Sequence, residues 1–278
     1  MGRRTAAAQF GLNQLVEFAD TRLDHVGQRT LDLSHVEILV LDEADRMLDI
    51  GFRPDIERIL KHCPHERQTL LLSATLPPPV ERLAHKYMRD PVRIDMAPTN
   101  VGSKTIDQYY ISVDPDKKFQ VLVKLLMAQR PKQALIFTRT KRGADKLAEQ
   151  LEKEGIRAGA IHGDLRQNVR ERSLADFAAG KLAVLVATDV AARGIHVDDV
   201  DTVIHYDPPE DHKAYLHRSG RTARAGESGL VVTLILWDQE LEVKRLQKRL
   251  GLDQPMHEFF SNNPKLADLA AWDPETGA

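Results

Sequence analysis

Three features of the sequence predict an α/β fold built on parallel sheets. Short apolar runs recur with amphipathic stretches between them, those stretches stop at glycines, and a small polar segment parts one group of such units from a longer one. The runs are Ile38 to Leu41, Leu70 to Leu72, Tyr109 to Val113, Ala134 to Phe137, Ala158 to Ile161, Ala183 to Val186, Val203 to His205 and Leu230 to Leu236. Short uninterrupted apolar runs of this kind are expected of strands buried on both faces, and helices alternating with them place the strands in parallel.

Between the runs, Arg142 to Glu154 puts Leu147, Ala148 and Leu151 on one helical face, sets Glu149 four residues before Lys153, and stops at Gly155. Gln167 to Ala179 repeats the scheme with Leu174, Phe177 and Ala178 inward and Gly180 after them. Pro98 to Lys104 is small, polar and aperiodic, as expected of a linker. The predicted organisation is a first domain over 1–97, a linker over 98–105 and a second domain over 106–253. Residues 254–278 carry three prolines and little apolar pattern, and read as a loosely attached tail.

At 278 residues, with 42% hydrophobic and 29% charged side chains, the chain has the composition of a globular protein rather than a disordered or fibrous one. Its formal charge of −2 supplies no long-range attraction to nucleic acid, so any such binding needs locally clustered arginines. Cys63 is the one cysteine, which excludes an intrachain disulfide and disfavours a cysteine-rich zinc site. No apolar run approaches the roughly 20 residues of a membrane helix, and Met1 to Gln9 lacks the apolar core of a signal peptide. A cytoplasmic setting is expected.

The chemistry concentrates at run ends. Ile38 to Asp45 is an apolar strand that stops abruptly in the carboxylates Asp42, Glu43 and Asp45, an arrangement that is costly unless a cation or a catalytic task holds it. The carboxyl end of a parallel strand is where such sheets bind ligands. There Asp42 suits Mg²⁺ held through water, and Glu43 suits orienting and deprotonating an attacking water. Alternatively the segment is an acidic turn in which Asp45 caps a helix. Ser73 and Thr75 follow the second run and are equally compatible with a turn or cap.

Arg218, Arg221 and Arg224 recur every three residues, with Gly220 and Gly226 allowing close backbone approach. On one helical turn their guanidinium groups would share a side, and such forks suit the dispersed charge of phosphoryl transfer. Gln167 and Arg170 lie at a predicted helix start, while Thr188 and Asp189 close a strand with Arg193 and Gly194 beyond. Both segments suit phosphates, and both are equally explained by capping. Few aromatics accompany these arginines, which favours gripping a backbone over stacking bases.

The order Asp42-Glu-Ala-Asp45, Ser73-Ala-Thr75, Ala134 to Lys141, Gln167 with Arg170, Ala187 to Gly194, Val203 to Asp207 and His217 to Arg224 resembles motifs II to VI of DEAD-box RNA helicases. The resemblance runs from about Thr30 to Leu250, and its wording over Asp42 to Phe52 is most similar to a bacterial RhlE-like group. It implies two RecA-like domains, use of ATP and Mg²⁺, RNA as partner, and local duplex separation driven by domain closure. Asp42 and Glu43 would then serve Mg²⁺ and water, while Asp45, Ser73, Thr75 and His217 would couple the nucleotide site to closure. Asp189, Arg221 and Arg224 would stand on the nucleotide, the two arginines as fingers to the γ-phosphate. Gln167, Arg170, Thr188, Arg193 and Gly194 would hold the RNA sugar-phosphate backbone.

The sequence departs from this pattern in three places. Only 41 residues precede Asp42 and no G-x-x-x-x-G-K-[ST] occurs; Gly102-Ser-Lys-Thr105 lacks the first glycine. Where the family carries Thr-Pro-Gly-Arg, this chain reads Ala19 to Asp24 with Arg22, and where it carries the aspartate of motif V, His196 stands. The first departure implies an N-terminally truncated helicase with an incomplete first domain, inactive alone because the phosphates lose charge-assisted contacts of roughly 1.5–3 kcal/mol each. The alternative is a non-catalytic RNA-binding or interaction module built on the second domain.

Overall fold

The computed structural model describes residues 7–10, 32–49, 51–73, 75–95, 106–192, 197, 200–222 and 228–258. The chain divides into two compact units, Met1–Ala97 and Pro98–Ala278. The linker expected over 98–105 lies outside the described residues.

In the first unit, β1 (Ala7–Phe10), β2 (Ile38–Leu41) and β3 (Gln68–Leu71) form a parallel sheet in that order. Helices α1 (Ala44–Asp49), α2 (Arg53–His62) and α3 (Pro78–Tyr87) accompany it. Leu39 and Leu41 point into a core with Ala44, Met47, Ile56, Ile59, Leu60, Cys63, Val80 and Leu83. Burying one such aliphatic side chain contributes about 1.5–3 kcal/mol, so this face stabilises the sheet. The other face departs from expectation. Leu70 is 38% exposed and Leu72 48%, whereas Leu71 between them packs against the core.

The second unit is one seven-stranded parallel sheet in the order β10-β4-β9-β8-β5-β7-β6. Its strands are β4 (Ile106–Ser112), β5 (Ala134–Phe137), β6 (Ala158–Ile161), β7 (Val184–Ala187), β8 (Thr202–His205), β9 (Gly229–Ile235) and β10 (Met256–Glu258). Its helices are α4 (Lys118–Gln129), α5 (Lys141–Lys153), α6 (Gln167–Ala178), α7 (Asp189–Ala192), α8 (His212–Ser219) and α9 (Glu240–Leu250). β5, β7 and β8 are buried throughout. Separate cores on the two faces place Ile136, Val186 and Ile204 on one side and Leu135, Phe137, Leu185 and Val203 on the other, the alternation that a central parallel strand requires.

α5 follows its sequence closely. Thr140 caps it by accepting from the Gly143 amide at 3.0 Å, and Leu147, Ala148 and Leu151 are buried. Glu149 accepts from Lys153 at 2.6 Å, and the chain leaves through Gly155 at φ +80°. α6 corrects one expectation: Phe177 is buried and Leu174 half-buried, but Ala178 faces solvent at the final turn. The tail is corrected too. Its beginning supplies β10, which pairs with β4 from Met256 opposite Tyr110 to Glu258 opposite Ser112, because the edge of β4 offers unpaired backbone groups.

His205, at the end of β8, is fully enclosed between Phe137 and Tyr215, with Nδ1 3.0 Å from Thr233 Oγ1. Burial, with Arg218 adding repulsion, holds its pKa well below the ordinary 6.5, so the folded ring is neutral. The unfolded ring takes up a proton below pH 6.5, so this stabilisation is present above that pH and is lost as pH falls. By about pH 5.5 the loss should reach roughly 1.4 kcal/mol. Urea unfolding read from β8 and β9 amides should show this slope in the wild-type chain and not in His205→Leu; equal slopes would count against it.

Candidate nucleotide and RNA sites

The acidic strand end in the first unit is built by a sharp turn. β2 stops at Leu41, Asp42 Oδ1 accepts the Glu43 amide at 2.9 Å, and Glu43 takes φ +51° before α1 begins. A non-glycine residue in the left-handed region costs on the order of 1–2 kcal/mol, and such strain gathers at functional positions. Glu43 Oε2 is buried with no hydrogen-bond partner. Among the described residues no donor reaches that oxygen, a state that is uncommon for a buried carboxylate. Asp42 beside it is half-exposed. Their hard oxygens fit Mg²⁺ that keeps most of its water and takes its other ligands from phosphate.

Asp45 does not cap α1. It lies inside the helix, fully buried, and its Oδ2 accepts from the Thr75 amide at 3.0 Å and from Thr75 Oγ1 at 2.6 Å. The Asp45 amide donates to Ser73 Oγ at 3.1 Å, and Ser73 Oγ donates to the Thr75 carbonyl at 2.6 Å. The segment after β3 is thereby fastened to the first turn after β2. Ser73 thus both caps the first turn of α1 and closes a local turn to Thr75, and with Asp45 these bonds form a closed polar network.

In the second unit the arginine segment is corrected. α8 ends at Ser219, so Arg218 and Arg221 do not share a helical face. Arg218 is buried and turned inward. Its Nε and Nη2 each reach an Asp189 carboxylate oxygen at 2.7 Å, Nη1 donates to the Asp207 carbonyl at 2.7 Å, and the guanidinium lies 5.0 Å from the Phe137 ring centre. Asp189 is therefore paired with Arg218 within the fold. Arg221 is half-buried beyond the helix, its carbonyl accepting the Val200 amide at 3.2 Å. The Gly220 amide donates to the Leu216 carbonyl, and a Cβ added at Gly220 would stand 2.9 Å from that carbonyl oxygen, so close approach there does require glycine. Arg224 and Gly226 lie outside the described residues.

Arg170 is tied to the turn that Thr188 opens. Arg170 Nη2 donates to the Ala191 carbonyl at 3.2 Å, tying the start of α6 to α7, and Thr188 is buried at the head of that turn. Gln167 is exposed at the first position of α6 and bonds Glu171 at 2.9 Å. Arg193, Gly194 and His196 lie outside the described residues, as does Arg22. His217 is half-buried in the last turn of α8.

Sequence reasoning gave no role to Asp207 and missed Lys118. Asp207 follows β8 and accepts Lys118 Nζ at 3.3 Å on one oxygen and the Arg139 amide at 2.8 Å on the other. Lys118 is buried and lies 4.6 Å from the Tyr206 ring centre; burial lowers its pKa, and Asp207 opposes that shift. The signal present in the sequence was an aspartate closing the apolar run Val203 to Asp207, but its partners come from α4 and β5.

Two outcomes test this geometry. Arg218→Met removes the paired guanidinium from beside Asp189 and the Asp207 carbonyl, so the second unit should lose about 3–5 kcal/mol in urea, with part regained in Arg218→Met/Asp189→Asn. Asp45→Asn weakens charge-assisted bonds of about 1.5–3 kcal/mol. Cys63, whose buried thiol has a raised pKa, packs in the same core. Its labelling by a thiol reagent should accelerate at least tenfold, and an unchanged rate would show that the network does not hold the unit closed.

Residues 5–83 match the DEAD/DEAH box helicase family and residues 117–226 the helicase conserved C-terminal domain. The ATP-dependent RNA helicase CshA of Listeria monocytogenes is 49% identical over 213 residues, which are 77% of this chain and 41% of CshA. The chain thus spans less than half the length of that relative. The structure of Saccharomyces cerevisiae Dbp5 L327V bound to RNA and ADP BeF3 is 30% identical with a TM-score of 0.77, over 90% of this chain and 65% of that one. Escherichia coli DEAD-box protein SrmB, solved bound to regulator of ribonuclease activity A, is 32% identical with a TM-score of 0.53, over 59% of this chain and 94% of that one. These relatives give no support to the RhlE-like subgroup. With both family matches in the expected order and the motif residues on the strand ends, this chain belongs to the DEAD-box RNA helicase family.

Proposed function

We propose that these residues are the water-activating, phosphate-sensing and RNA-gripping part of an ATP-dependent RNA helicase. The observation that carries this reading is Glu43: held at φ +51° beside Asp42, it keeps a buried carboxylate oxygen without a partner. Bound Mg²⁺ would neutralise charge on the nucleotide phosphates. Asp42 would hold that ion through water. Glu43 would orient the attacking water and accept its proton, and Asp45 would pass the state of the site to Ser73 and Thr75 through the observed hydrogen bonds.

In the second unit, Arg221 and Arg224 would meet the γ-phosphate. The pairing of Asp189 with Arg218 gives Asp189 a positioning role, with nucleotide contact secondary to it. Gln167, Arg170, Thr188, Arg193 and Gly194 would hold the RNA backbone. The two units correspond to RecA-like domains, the first needing further strands and a phosphate-binding loop. No such loop motif occurs in the 278 residues, so by themselves they are expected to bind RNA without hydrolysing ATP. The complete seven-stranded sheet of the second unit favours that RNA-binding reading for the isolated chain.

RNA-stimulated ATP hydrolysis by the 278-residue chain, with Glu43→Gln as control, is the direct test. Hydrolysis by the wild type and not by the variant would require another phosphate cradle. No hydrolysis by either, together with RNA binding indifferent to ATP and weakened several-fold by Arg170→Ala, is the expected result.

A further inference from the structure

Two exposed apolar side chains of the second unit stand four residues apart: Trp237 is 73% exposed and Leu241 60%. Isolated exposed apolar residues are ordinary, but a tryptophan with a leucine one turn away is the kind of anchor that dominates protein interfaces. The pair is rigidly presented. Trp237 opens the 3-10 turn Trp237–Gln239 directly after β9, and Leu241 lies in the first turn of α9. Gln239 Oε1 accepts the Leu236 amide at 3.1 Å, and Glu240 Oε1 accepts from Ser112 Oγ at 2.7 Å. The Val113 amide donates to the Ile235 carbonyl at 2.8 Å, which sets the loop after β4 beside the turn after β9.

These two neighbouring strand ends gather carboxylates. Asp114 and Asp116 are exposed on the β4 side, with exposed Asp238, half-buried Glu240 and exposed Glu242 on the β9 side. Along α9, exposed Lys244 and Arg245 follow one turn after Leu241 and Lys248 and Arg249 stand in the last turn, and Lys117 is exposed in the loop after β4. The apolar pair therefore stands among more carboxylates than basic groups, five against three within one turn of it and in the loop after β4. That charge opposes a nucleic-acid strand, whose phosphates would be repelled even with a base stacked on the indole. It favours a partner with lysines or arginines around apolar side chains.

We infer that Trp237 and Leu241 form a docking site for a cationic amphipathic segment of another protein, whose apolar side chains cover the pair while its basic groups meet Asp114, Asp116, Asp238 and Glu242. The site shares no residue with those assigned to ATP or RNA, so it stands or falls apart from the helicase reading.

The test uses the 278-residue chain with Trp272→Phe, which leaves Trp237 as its single tryptophan. The probe is a peptide of about 18 residues with leucine and lysine at helical spacing. Saturable binding with a blue shift of Trp237 emission is expected, weakened at least tenfold by Leu241→Ser and by Asp114→Lys/Asp238→Lys, while Glu149→Lys on α5 leaves it unchanged. Equal binding by the patch variants and by Glu149→Lys would reduce the effect to nonspecific charge and overturn the proposal. So would quenching of Trp237 by single-stranded RNA in place of the peptide, or concentration-dependent self-association abolished by Leu241→Ser.

Discussion

A buried guanidinium clasps the ends of three adjacent strands. Arg218 reaches Asp189 after β7, the Asp207 carbonyl after β8 and the ring of Phe137 at the end of β5. Parallel strands deliver all their loops to one side of the sheet, and those loops carry polar backbone that needs partners. A charge buried this way costs several kcal/mol unless every neighbour is matched. Here the carboxylate, the carbonyl and the aromatic face match it together, so the ends of these three strands are tied to one point. Asp207 extends the clasp by receiving Lys118 and the Arg139 amide, which joins the start of α4 and the exit from β5 to the same point.

The first unit uses the same logic with a carboxylate at its centre. Asp45 gathers the amide and hydroxyl of Thr75, and its own amide binds Ser73, so two strand ends share one hydrogen-bonded knot. Beside this satisfied knot stands Glu43, strained and with an unpartnered buried oxygen. The two carboxylates, two residues apart, differ in environment: Asp45 holds the turn, and Glu43 keeps an oxygen without a partner among the described residues.

The strands of the second sheet were legible because their apolar runs are continuous, and α5 was legible because its cap, face and stop lie within one stretch of chain. The candidate residues were legible as residue types at run ends. What eluded sequence reasoning was direction. Spacing of three suggested that Arg218 and Arg221 act side by side, but the helix ends between them, and desolvation of the first is compensated by the Asp189 carboxylate, the Asp207 carbonyl and the Phe137 ring. Leu70 and Leu72 read as core, yet a strand is buried on both faces only where another layer covers it. Met256 to Glu258 carried no apolar pattern, and an open strand edge recruited it regardless.

By itself the sequence determined the α/β class, the order of strands and helices along the chain, the motif residues and the family they resemble. These follow from local periodicity, glycine stops and residue chemistry, which need no knowledge of neighbours in space. The tertiary structure decided the strand order across the sheet, the burial of His205 and Lys118, and the partners of Asp45, Asp189, Asp207 and Arg218. Those depend on groups as far as 146 residues apart in sequence, as for Tyr110 of β4 and Met256 of β10. Only packing brings such groups into a low-dielectric interior, where pairing stabilises them and its absence is costly.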